Sequence, residues 1–275
     1  MKIACVQTDL EFCNPNHNAE RAVEKLRELN GMGVHLAVFP EAYLTGYCVR
    51  SQDEAAKVAI PITDPSLAIL QHACDELDML AVLGFAERGV EGQLFNAAVL
   101  FEPQQRPRFY RKTHLPYLGY DRFAEVGRSL EVFETRIGRL GILICYDMRP
   151  PEATRTLALK GADLIVLPTN WPIGAETSAN HICIARAAEN KVFYATCNRV
   201  GEENGTTFIG QSKIIAPNGV LLQAASDKPV DLVAEIDLSE ARDKRTVLIP
   251  GEYELDIFGS RRPELYSEIT EPNRQ

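Results

Sequence analysis

Apolar residues along this chain fall into short blocks whose period switches between that of a buried strand and that of a helix. Residues 3–8 form a near-continuous apolar run of strand length, and Ala19, Ala22, Val23, Leu26 and Leu29 then recur at helical spacing until Gly31 and Gly33 end the helix. Residues 36–39 make a second strand run, closed by Pro40. The same grammar returns later. Residues 153–160 are helical in pattern, Gly161 punctuates them, residues 164–167 read as a buried strand, and Pro168 stops it. GVHLAVFPEA and GADLIVLPTN superpose with Pro40 and Pro168 in register, an offset of 128 residues. After each comes a helix leading to a strand (67–77 then 80–85; 179–188 then 192–196) and a pair of strands about a turn, which Asn218-Gly219 marks in the second half. The pattern predicts two alike α/β halves in one domain, with mixed or parallel sheets covered by helices. PQQRPR at 103–108 is too short to divide them. From about residue 242 onward the chain is rich in charge, Gly and Pro; its scattered Leu, Ile, Phe and Tyr are expected to pack on a partner surface.

Composition narrows the class. At 275 residues, with 45% apolar, 24% charged and 8% aromatic residues, the chain is an ordinary globular one, near the size at which a single core stops growing. Lys and Arg total 29 against 38 for Asp and Glu, a net charge of −9, and no basic run exceeds a few residues, so neither nucleic acid nor anionic membrane is an expected partner. The start, MKIACVQTDL, lacks the long apolar region of a signal peptide, and no later stretch is long enough to span a bilayer; the expected location is cytoplasmic. Seven scattered cysteines without C-x-x-C and five histidines without ligand spacing predict neither disulfides nor a metal, and no cofactor is called for.

Three positions carry chemistry. Glu41, in FPEAYLTGY, follows a buried strand, where loops at strand ends build sites, although a solvated loop Glu is the bland alternative. Lys112, in YRKTHLP, leaves an apparent strand at 108–111 and could equally be a surface lysine. Cys145 ends the apolar run LGILIC and turns through Asp147 and Arg149 into Pro150, Pro151 and Glu152, a strand-to-helix elbow. A thiol there lies near a helix N-terminus, which favours thiolate, and the turn exposes the sulfur and the backbone N–H that follows it.

Together FPE, YRKTHLP and ICYDMRPPE resemble the motifs of the nitrilase superfamily of carbon-nitrogen hydrolases. The resemblance runs from KIACVQ through GADLIVLPTNW and ARAAENKVFYATCNRVG to FIGQSKIIAPNG. It implies a four-layer α-β-β-α sandwich of two similar halves, a Glu41–Lys112–Cys145 catalytic triad, and a homodimer or higher homo-oligomer. In place of the family's further glutamate downstream of the lysine, LGYDRF carries Asp121, which would either orient Lys112 or be a solvent-exposed loop Asp.

The chemistry such a triad performs is cysteine-dependent hydrolysis of the non-peptide C–N bond of a small amide through a thioester. Glu41 takes the thiol proton and Lys112 with the Tyr146 backbone N–H stabilises the oxyanion. Tyr47, Tyr117, Arg149, Asn170 and Trp171 are candidates for shaping the substrate pocket, with Trp171 as core packing and an Arg149–Glu152 pair the structural alternatives. Arg186 and Glu189, at i and i+3, read as a structural ion pair. An N-carbamoyl amine or amino acid amidohydrolase and a nitrilase are the rivals. Tyr146-Asp147 after the cysteine, where nitrile-hydrolysing relatives carry Trp-Glu, favours an amide over its matched nitrile by at least about tenfold. Absence of G-x-S-x-G, G-x-G-x-x-G and a P-loop disfavours serine hydrolases and nucleotide binders.

Overall fold

In the computed structural model, which describes residues 1–271, the near-continuous apolar runs become the central strands of two six-stranded sheets. In the first half β1 (Lys2–Gln7), β2 (Val34–Val38) and β3 (Leu80–Arg88) run parallel. Helix α1 (Pro15–Gly31) links the first two, and α2 (Gln52–Val58) and α3 (Pro65–Leu77) lead to the third. Strands β4 (Leu94–Phe101) and β5 (Arg108–Arg111) extend the sheet antiparallel. In the second half β6 (Val132–Thr135) pairs antiparallel with β7 (Gly138–Ile142), which runs parallel to β8 (Leu164–Thr169) and β9 (Phe193–Asn198). Helix α4 (Pro151–Leu159) lies between β7 and β8, and α5 (Cys183–Asn190) between β8 and β9. A small hairpin, β10 (Glu202–Glu203) with β11 (Thr206–Thr207), precedes β12 (Lys213–Ile215) and β13 (Leu221–Ala224). Strand β14 (Val230–Glu235) returns to pair with β1.

The sheet orders are β14-β1-β2-β3-β4-β5 and β6-β7-β8-β9-β12-β13, so the two halves match strand for strand and in direction. Alternation along each strand sorts the layers. On the inner side Ile3, Cys5, Leu36 and Val38 join Ile142, Leu167 and Cys197 in one core, while on the outer side Ala4, Val6 and Ala37 pack with Leu26 and Leu29 of α1 and Leu70 of α3. This is the α-β-β-α sandwich. The Cys197 thiol spans the seam, donating to Val6 O at 3.3 Å and Val38 O at 3.0 Å.

Two local expectations are corrected. Pro168 does not end its strand: β8 continues to Thr169, paired with Asn198 of β9. Alternate residues of a strand direct their backbone groups to the same neighbour. Val166 faces β7, whose ladder ends where Leu143 donates to Val166 O, so Pro168, two residues on, lies where no carbonyl awaits its missing N–H. The helix expected over 179–188 begins instead as a π-helical turn, Ser178–Ile182, before α5.

Beyond residue 242, β15 (Arg245–Ile249) and β16 (Tyr253–Asp256) form a hairpin, followed by α6 (Ser267–Thr270). Val247, Leu248, Ile249, Tyr253 and Leu255 are exposed on it. Phe258 touches the body of the molecule, with the Arg155 and Lys244 cations 5.0 and 5.4 Å from its ring. No helix among the described residues is long and apolar enough to cross a membrane.

Candidate active site

Loops at the carboxyl ends of the strands converge at one end of the sandwich. Glu41 opens the turn after β2, and Ala42 beside it takes a left-handed φ of 48°. That turn lies against β3 at Gly84, where a Cβ would stand 2.3 Å from Ala42 N and 2.7 Å from Glu41 Cα; only glycine admits the approach. Lys112 directly follows β5. Its backbone N–H donates to Asn96 O at 2.8 Å and its carbonyl accepts from Gly127 N at 2.7 Å.

The side chains meet in a buried cluster. Lys112 Nζ donates to Glu41 Oε1 at 2.7 Å and to Asp121 Oδ2 at 2.6 Å. Asn96 Nδ2 donates to the same Glu41 oxygen and to Asp121 Oδ1, each at 2.7 Å. The Tyr47 hydroxyl closes the ring on Asp121 Oδ2 at 2.9 Å. Asp121 is therefore buried against Lys112, not a solvent-exposed loop residue. Asn96 belongs to no motif, and its one sequence signal is that it is the strongly polar position inside the apolar run LFNAAVLF.

Two carboxylates share one ammonium. Burial raises the Glu41 carboxyl above its ordinary value; Lys112 opposes the rise and Asp121 adds to it. Burial works against the Lys112 ammonium as well, but Asp121 and Glu41 outweigh it and hold the group well above its usual range. Lys112 thus stays charged. Glu41 Oε2, in contrast to Oε1, is buried with no hydrogen-bond partner among the described residues.

Cys145 sits at the elbow with φ 44°, left-handed and strained for a residue with a Cβ. It starts a short 3-10 turn, Cys145–Met148, and α4 begins only at Pro151. The expected thiolate at a helix N-terminus is corrected accordingly. Burial, then the charge of Glu41, push the thiol up to about 12, more than Lys112, Thr169 and the Asn170 N–H draw it down. The resting group is a thiol.

The elbow is bracketed by Asp147, which is fully buried. Its Oδ2 accepts from Ile144 N at 3.0 Å and from the Tyr110 hydroxyl at 2.8 Å. Its Oδ1 accepts from Thr113 N at 3.2 Å, Thr113 Oγ1 at 3.0 Å and His114 N at 2.8 Å, with His114 Nδ1 at 2.9 Å. One carboxylate thereby ties the segment bearing Cys145 to the segment just after Lys112. From the other side, Arg186 donates to Met148 O at 3.0 Å and Arg149 O at 2.9 Å, besides pairing with Glu189 at 2.9 Å.

A cavity of about 270 Å³ opens beside the cluster, lined by Tyr47, Tyr117, Asn170, Pro172 and Phe208 among others. Tyr117 is exposed there. Both polar atoms of the buried Asn170 side chain lack partners among the described residues. Trp171 does not join the wall: it packs in the core between the sheets, and its backbone N–H donates to Asn198 Oδ1 at 2.7 Å. Arg149 is absent from the wall too, its Nη1 lying 3.4 Å from Ser178 Oγ rather than in a pair with Glu152.

The carbon-nitrogen hydrolase family model matches residues 2–246. The chain is 36% identical to a nitrilase of Pyrococcus abyssi over 97% of its own length and 99% of the relative's. It is 34% identical to an (R)-stereoselective amidase of a Pseudomonas species, covering 98% and 95% of the two chains. Among solved structures, an amidase from Nesterenkonia sp. AN1 superposes with a TM-score of 0.83 at 26% identity, covering 98% of this chain and 99% of that one. With a match across nearly its whole length and the paired-sheet sandwich in common, the chain belongs to the carbon-nitrogen hydrolase family, as an amidohydrolase of the nitrilase superfamily.

Proposed function

We propose that Cys145, Glu41 and Lys112 are the nucleophile, the general base and the oxyanion partner in hydrolysis of a small amide. The supporting observation is the asymmetry of Glu41: Oε1 is held by Lys112 and Asn96, while Oε2 is buried and unengaged. A carboxyl raised by burial, facing a thiol that is protonated at rest, is matched to taking a proton only as the sulfur attacks. As the S–C bond forms, the thiol proton passes to Glu41 and the carbonyl oxygen becomes an oxyanion. Lys112 and the Tyr146 N–H stabilise that charge, a preorganised donor of this kind contributing about 3 to 4 kcal/mol. Collapse of the adduct breaks the C–N bond, and Glu41 returns the proton to the departing nitrogen, which leaves as ammonia. Water, deprotonated by Glu41, then attacks the thioester carbon; the thiolate leaves and regains a proton, and a carboxylate is released.

Asn170, with its free amide on the cavity wall, is suited to hydrogen-bond the substrate; Tyr47 and Tyr117 would shape its path. Asp121 orients Lys112 and supplies part of its counter-charge. The preferred substrate is an amide rather than the matched nitrile. The protein would act in the cytoplasm as a homodimer, with Val247, Ile249 and Tyr253 of the exposed hairpin covered by the second copy. Light scattering at micromolar concentration tests that assembly, and a monomer refutes it. The catalytic reading is tested by mass spectrometry of protein quenched during turnover of a small amide. An acyl adduct on the Cys145 peptide is expected, with loss of adduct and turnover in Cys145→Ala; undiminished ammonia release by that variant overturns the assignment.

A further inference from the structure

We propose that the cavity beside the catalytic cluster is an anion subsite, and that the substrate carries a carboxylate remote from its scissile bond. The inference rests on the amidohydrolase reading and adds a substrate class to it. The charged residues on the cavity wall are Arg50 and Arg122, in a chain whose net charge is −9. Among the described residues the Arg122 guanidinium meets carbonyl oxygens and the Phe123 ring, and neither guanidinium is in an ion pair. Two carboxylates with contacts to this wall meet groups other than these two guanidinium groups. Glu54 accepts the backbone N–H of Arg50 at 2.6 Å. Glu203 accepts Tyr47 N and Cys48 N at 2.7 and 2.6 Å and is paired with buried Arg199 at 2.7 Å.

Arg122 is preorganised. Its Nη2 donates to Val49 O at 2.6 Å and its Nε to Gly119 O at 3.1 Å, with the guanidinium 4.8 Å from the Phe123 ring. That fixes the plane of the fork and leaves Nη1 for a ligand. Cys145, Glu41 and Lys112 do not line the cavity themselves, but it shares Tyr47 and Asn170 with the catalytic surroundings, so it would hold the remote end of a substrate whose amide reaches Cys145. A carboxylate on the acyl chain or on the nitrogen side of a carbamoyl compound presents the same chemistry.

Steady-state ammonia release separates these cases with two matched pairs: the monoamide of a dicarboxylic acid against the neutral alkanamide of equal length, and an N-carbamoyl amino acid against the corresponding alkylurea. In at least one pair the carboxylate compound is expected to have a kcat/KM roughly tenfold to a hundredfold higher, as charge-assisted hydrogen bonds imply. Arg122→Ala and Arg50→Ala should pull that ratio toward one, mainly through KM, and Arg50→Glu should invert it in favour of an ammonium-bearing amide. Arg50 is exposed, so its variants keep the test open if Arg122→Ala misfolds. Hydrolysis of neutral amides without preference for the charged partner, or a ratio unmoved in both Arg50 variants, overturns the subsite while leaving the amidohydrolase intact. Absence of turnover with every compound would strike the underlying reading instead.

Discussion

Asp147 accepts from both segments that position the proposed nucleophile and oxyanion partner, and every contact puts a donor on a carboxylate oxygen. Replacing one oxygen by an amide sets a second donor against those donors, and a buried unmatched group of this kind costs about 1 to 3 kcal/mol. Asp147→Asn should therefore lower kcat by roughly tenfold to a hundredfold with a smaller change in KM, as expected of a positioning residue; a wild-type kcat would refute the bracket. Glu41→Gln separates base from electrostatics. It should cut kcat by about 10²- to 10⁴-fold. It also removes a negative charge that helps hold the thiol near 12, with Lys112 still in place, so the midpoint for alkylation of Cys145 should move downward in pH. A midpoint that rises or stays fixed would show that Glu41 does not face the thiol. For the unmodified enzyme the proposed base role of Glu41 gives the opposite sign: it requires the ionised carboxyl, so activity should fall on acidification through a carboxyl pKa above the ordinary 4.5. Glu41, Lys112 and Cys145 stand out in the sequence as candidates because each follows a strand in a recognisable motif. Asp147 was visible only as a neighbour of the cysteine, and Asn96 only as a polar position in an apolar run, because what they bracket is far apart in sequence.

Between elements, the turn carrying Glu41 depends on the bare backbone of β3. Gly84→Ala would drive a methyl into Ala42 N and the Glu41 backbone, with no flexible side chain to yield. We expect a loss of about 1 to 3 kcal/mol in stability, typical of overpacking, together with a fall in kcat as Glu41 is displaced. A variant with unchanged denaturation midpoint and activity would mean the turn relaxes freely. The internal repeat was readable because buried parallel strands are near-continuous apolar runs, and two of them carry a proline at the same register. The same offset places Thr169 opposite Glu41, since 41 and 128 sum to 169; the first half supplies the carboxylate and the second a hydroxyl beside the sulfur. What the repeat could not tell was whether proline stops a strand, because that depends on which neighbour its missing N–H would face. Nor could one tryptophan reveal its side: Trp171 follows a strand end, yet turns into the seam while Asn170 before it lines the cavity.

Across the whole molecule, burial leaves many thiols and phenols protonated far beyond their ordinary range. Cys48 and Cys183 are pushed up to about 11, and Cys74, Cys145 and Tyr43 to about 12. Tyr47 and Tyr110 lie well above their usual value, and in every one of these groups desolvation is the first cause. Unfolded, the thiols would titrate near 9.0 and the phenols near 10.0. Raised folded-state values mean that, above those points, the folded chain retains protons that the unfolded chain has shed. Stability is then fully present below about pH 9 and is lost as pH climbs through the folded values. Lys112, whose ammonium is held up by two carboxylates, acts with the same sign. Lys244, lowered by burial to about 8, and Lys213, lowered by burial too, act with the opposite one, but they are two lysines against many raised groups. The alkaline limb should therefore be steep, each retained proton contributing about 1.4 kcal/mol per pH unit across its own window. Scanning calorimetry between pH 8 and 11 in a reducing buffer should show the unfolding midpoint falling progressively above pH 9, while a flat midpoint through pH 11 would mean that these groups reach water without unfolding.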